Sequence, residues 1–74
     1  MKYQLKIVKI KGLPGAPWGM RMTVNGISRY RPYHYKVEAV NGLVEWENLS
    51  QFSIQREFIH NFDSPERLGI VEVN

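Results

Sequence analysis

The chain begins with alternation. In "KYQLKIVKIK", Tyr3, Leu5 and Ile7 alternate with Gln4 and Lys6, after which Val8 and Ile10 fall on the other parity. A period of two predicts a strand, and the change of parity predicts a bulge or twist near Ile7 and Val8. "GLPGAPWG" reads as a loop stiffened by prolines, with Pro14-Gly15 suited to the centre of a type II turn. Two Asn-Gly pairs follow, Asn25-Gly26 and Asn41-Gly42, each between strand-like runs. That is the strongest short-range hairpin signal. Two-residue turns there set Val24 opposite Ile27, Met22 opposite Arg29 and Met20 opposite Arg31. In the second hairpin Val40 faces Leu43, Ala39 faces Val44, Val37 faces Trp46 and Lys36 faces Glu47. Opposed residues share a sheet face. One face therefore carries Tyr33, Tyr35, Val37, Ala39, Val44 and Trp46 into a core, and the other turns His34, Lys36, Glu38, Glu45 and Glu47 to water.

Residues 49–62, "LSQFSIQREFIHNF", fit either a strand or a helix. Alternation at Phe52, Ile54, Arg56 and Phe58 favours the strand over helical spacing through Leu49, Phe52, Phe58, Ile59 and Phe62. In "DSPERL", Ser64 suits a helix N-cap with Pro65 at the first helical position, predicting one short turn, and "GIVEV" reads as a last strand. The expected fold is mostly β: one domain over residues 1–74 with an antiparallel sheet, rolled or barrel-like. It would have about five or six strands, two Asn-Gly hairpins and at most one short helical turn.

A chain of 74 residues without cysteine has to reach stability through packing or self-association. Lys6, Lys9 and Lys11 interrupt every apolar run after Met1, so no export signal or membrane span is expected, and a cytoplasmic location is. The net charge of +3 conceals an asymmetry. Residues 1–37 hold Lys2, Lys6, Lys9, Lys11, Arg21, Arg29, Arg31 and Lys36 with no Asp or Glu; residues 38–74 hold all the acids against Arg56 and Arg67. Such a half is either a basic footprint for phosphates or an acidic protein, or one side of a set of cross-strand ion pairs.

Catalytic chemistry finds little support. Ser28, Ser50, Ser53 and Ser64 lie in no nucleophile elbow, His34 and His60 have no metal-ligand spacing, and no glycine-rich loop precedes a helix. Glu45 and Glu47 read as solvated, and Asn48-Leu49-Ser50 as a chance glycosylation pattern. Neither an enzyme nor a cofactor is expected. Binding is better supported, because Trp18 stands in a stiff loop and Met and Arg are enriched at interfaces. The candidate surface is Trp18, Met20, Arg21, Met22, Arg29, Tyr30, Arg31, His34 and Lys36. Within "RYRPYHYK", Pro32 cannot donate to a ladder and marks an edge, a bulge or a break. The expectation is a stoichiometric inhibitor or adaptor, of the size of a mobile-element or phage accessory protein that blocks a host complex. Its partner would be a protein or nucleoprotein complex with an acidic surface. A nucleic-acid-binding small β-barrel is the alternative, and homodimerisation a further one.

Overall fold

The computed structural model describes residues 3–73. Lys2 and the Phe52 side chain, used in the reading above, lie outside the described residues. Three strands come first, β1 (Tyr3–Lys11), β2 (Trp18–Val24) and β3 (Ile27–Tyr33), followed by the helices α1 (Lys36–Glu47), α2 (Gln51–Asn61) and α3 (Pro65–Leu68), and strand β4 (Val71–Val73). The strands form one antiparallel sheet in the order β3-β2-β1-β4, curled into a half-barrel.

The first hairpin forms in the expected register. Asn25 (φ 52°) and Gly26 (φ 80°) both take left-handed torsions, as a type I′ turn requires, and Val24, Met22 and Met20 pair with Ile27, Arg29 and Arg31. β1 pairs residue for residue with β2 from Tyr3↔Val24 to Lys9↔Trp18, so the bulge expected near Ile7 and Val8 does not form. The change of parity has another cause: both faces of the sheet are covered. Tyr3 and Leu5 turn toward the helices with Met20 and Met22, whereas Val8 and Ile10 meet Tyr30 and Ile70 on the opposite face.

The second hairpin is a helix instead. Ala39, Gly42 and Trp46 fall at i, i+3 and i+7 on one side of α1 and are buried. The Asn41-Gly42 pair makes no turn, and Gly42 gives α1 its close approach to the sheet: a Cβ there would stand 2.5 Å from the Tyr33 hydroxyl. Tyr35, Val37 and Val44, assigned to a core by the hairpin register, are 68%, 64% and 54% exposed. Residues 51–61 are likewise helical rather than extended. Ser50 caps α2 by accepting from the Ser53 backbone N–H at 3.2 Å, and Ile54, Phe58 and Phe62 point the same way at four-residue intervals. The sheet therefore has four strands, not five or six. At the end of the chain the expectation holds. Ser64 accepts from the Arg67 N–H, Pro65 opens α3, Gly69 closes it at φ 72°, and β4 follows.

The main core joins Met20, Met22, Trp46, Ile54, Phe58 and Phe62, with Trp46 edge-on to Phe62 at 4.9 Å. Each fully buried Met or Ile contributes about 1.5–3 kcal/mol. Burial of this size overrides the turn preference of a dipeptide.

Candidate functional site

The expected surface divides in two. Met20 and Met22 have no exposed area and belong to the core. Tyr30, 8% exposed, donates from its hydroxyl to Glu72 Oε1 at 3.0 Å, and Arg21 Nη1 donates to the same oxygen at 2.7 Å. Burial, and then the Glu72 carboxylate, push the Tyr30 phenol above its ordinary value. Arg21 and Tyr30 thus tie the sheet to β4. Arg29 donates to the Phe62 carbonyl at 3.2 Å with its guanidinium 5.4 Å from the Phe58 ring centre, fastening β3 to the end of α2. The Met and Arg surface read from the sequence is therefore not one surface. The methionines are drawn inward because the helices cover their face of β2.

Trp18, Arg31, His34 and Lys36 do converge. Antiparallel register sets Lys9, Trp18 and Tyr33 side by side across β1, β2 and β3. The chain then turns through His34 into α1, which brings Lys36 back over the indole. Lys9 Nζ lies 5.5 Å and Lys36 Nζ 5.3 Å from the Trp18 ring centre, and the Arg31 guanidinium lies 5.6 Å from that of Tyr33. Each contact is worth about 0.5–1 kcal/mol at an exposed site. His34 Nδ1 donates to the Gly15 carbonyl, which pins the proline loop against the start of α1 and requires the proton on that nitrogen. Tyr33 is half-buried, and its phenol is raised by burial first, with Arg31 opposing and Glu45 and Glu38 adding to it.

Among the described residues the cations at this end make no direct ion pair of the expected cross-strand kind, although the Glu38 and Glu45 carboxylates stand near enough to act on Tyr33. Among the described residues the ion pairs are Arg21–Glu72 at 2.7 Å and Arg67–Asp63 at 3.7 Å. The first joins the basic and acidic halves, the second lies within the acidic half, and Lys9, Arg31 and Lys36 take part in neither. Two ammonium groups around one indole repel each other, so an anion seated between them would be favoured.

Lys9 and Tyr33 were missed as members of this cluster. One more step of the Asn25-Gly26 count, past Met20 and Arg31, would have paired Trp18 with Tyr33. Lys9 had no such signal: the Pro14-Gly15 turn forms, with the Ala16 N–H donating to the Leu13 carbonyl at 3.2 Å, but counting out from it pairs Lys9 with Met20, two residues from the Trp18 it meets. Among the described residues no three His, Asp or Glu side chains are placed to hold a metal, and no helix is long and apolar enough to cross a membrane. Comparison with protein-family models, with curated proteins and with solved structures finds no match.

Proposed function

We propose that this chain is a small non-catalytic binding protein that acts stoichiometrically, as an inhibitor or adaptor, on a larger partner presenting an acidic surface. The observation that carries this reading is the convergence of Lys9, Lys36 and Arg31 around Trp18 and Tyr33. Rigid aromatic rings ringed by cations suit the core of an interface, where Trp, Tyr and Arg supply most of the energy and charges steer the encounter. A carboxylate-rich patch on the partner would replace the lysine-to-lysine repulsion with ion pairs.

The test compares the wild type with a Lys9→Glu/Arg31→Glu/Lys36→Glu variant. Partners captured from the native host by the wild type are titrated against both proteins by calorimetry. A one-to-one complex weakened at least about tenfold by the reversal is expected. Equal binding by both proteins would remove this face from the reading. Titration with single- and double-stranded DNA and RNA across a salt series separates the runner-up. Affinity that falls steeply with salt and is lost in the same variant would transfer the site to nucleic acid, since each phosphate contact releases counterions.

A further inference from the structure

The two edges of the sheet are finished differently. On the β3 edge Tyr30 exchanges both backbone hydrogen bonds with Asp63, at 2.8 and 2.9 Å. Pro32, two residues on, has no N–H to offer in that direction. This edge is occupied at its centre. On the other side β4 pairs only with Lys9, Ile10 and Lys11 of the nine-residue β1. Ile10 donates toward β2, to the Pro17 carbonyl at 2.9 Å. In an antiparallel ladder the direction alternates with each residue. The peptide groups of Gln4, Lys6 and Val8 therefore point at β2, and those of Tyr3, Leu5 and Ile7 point outward below β4. Among the described residues they meet no partner, and form an open row of donors and acceptors within a strand whose helix-side residues, Tyr3 and Leu5, extend the main core. Such a row is a template for another strand.

We propose that this row pairs with the same row of a second copy, antiparallel about a twofold axis at Leu5, so that the sheet continues from one copy into the other. The edge is self-complementary, because one register opposes apolar to apolar and no like charges directly, and its sequence selects that register. Centred on Leu5, the ladder runs over Tyr3–Ile7 of each copy, with Leu5 opposite Leu5 and Tyr3 opposite Ile7 on the helix side. On the other face Gln4 lies opposite Lys6, and both are exposed. Moving the axis to Lys6 opposes two ammonium groups. Moving it to Gln4 pairs only three of the described residues, Tyr3 to Leu5. Moving it to Ile7 drives the second strand into the place of Val73 beside Lys9. A ladder of five residues on each side is well below a standard interface of about 800 Å² per partner, so the dimer is weak and forms only as protein concentration rises toward millimolar.

Sedimentation equilibrium from micromolar to millimolar protein tests this directly. Gln4→Glu sets a carboxylate against Lys6 of the other copy twice over and should tighten the dimer about two- to thirty-fold; Gln4→Lys should weaken it by a similar factor. Ile7→Pro removes an N–H that β2 does not use and should abolish the dimer with the fold intact. If that variant unfolds, the exposed Gln4 pair still decides. The amides of Leu5 and Ile7 should exchange more slowly as protein concentration rises, and those of Gln4 and Lys6 should not change. A monomer at millimolar concentration would overturn the proposal, as would a dimer indifferent to Gln4 and Ile7. A dimer broken instead by Val40→Glu would assign the contact to the exposed Val37, Val40 and Val44 side of α1 and overturn it equally.

Discussion

Gly26 and Gly42 each follow an asparagine, and the two do opposite jobs. Gly26 is exposed at φ 80°, with no atom within 4 Å of where a Cβ would stand. Gly42 is buried inside a helix, and a Cβ there would meet the Tyr33 hydroxyl at 2.5 Å. The first glycine is required by a torsion angle, the second by a lack of volume. A local preference decides the structure where the flanking side chains are free to follow it. It yields where Ala39 and Trp46 must reach the core, because burial outweighs the roughly 1 kcal/mol at stake in a left-handed residue.

Substitutions separate the two requirements. Gly42→Val should be the most damaging, costing about 2–3 kcal/mol in urea unfolding, because three new carbons must be housed between α1 and the Tyr33 ring. Gly26→Ala should cost about 1–2 kcal/mol from the strained torsion alone. A D-alanine placed at Gly26 by chemical synthesis should restore wild-type stability, and a loss there would show that volume matters at the turn as well. The smallest effect is on pH. Burial raises the Tyr33 phenol above its ordinary 10.0, so its stabilising contribution is complete below that pH and is lost as pH rises through the raised value. Unfolding measured from about pH 8 to about pH 11 should show a decline that is shallower in Tyr33→Phe. An unchanged decline would place the alkaline sensitivity elsewhere, with Tyr30 the next candidate.

What could be read from the chain follows from the same contrast. β1, the register of the first hairpin, the cap and proline of α3 and the closing strand all rest on signals confined to a few adjacent residues, and all are present. Pro32 marks an edge, a bulge or a break from sequence, and of the three the edge is what forms, since it lies on the edge strand β3. α1 was misread because "KVEAVNGLVEWE" satisfies two periods at once. Alternation put Val37, Ala39, Val44 and Trp46 on one side, while Ala39, Gly42, Leu43 and Trp46 also fall at helical spacing. The side chains that bury Trp46, Met20 and Met22 on β2 and Phe62 after α2, decide between them, and no local window contains them all. α2 was ambiguous for a related reason, with Ile54, Phe58 and Phe62 reading as either pattern until the sheet supplies Met20 and Met22 to cover. Of the candidate site, Trp18, Arg31, His34 and Lys36 were legible as a group. Arg21 and Tyr30 were not separable from them, because covering the second face of the sheet depends on Ile70 and Glu72 far along the chain, and Met20 and Met22 were not, because their cover comes from Trp46, Ile54, Phe58 and Phe62.

The Glu72 carboxylate also bears on the order in which the chain folds. It reaches Arg21 across 51 residues and Tyr30 across 42, whereas the β2–β3 ladder closes over a two-residue turn. Loop-closure entropy favours the short connection first, so the hairpin precedes the arrival of β4. Until then Arg21 and Tyr30 lie beside Val8 and Ile10 on a face with no carboxylate to receive them. The seal on that face is a late event, and it converts a nascent meander into a cooperative whole.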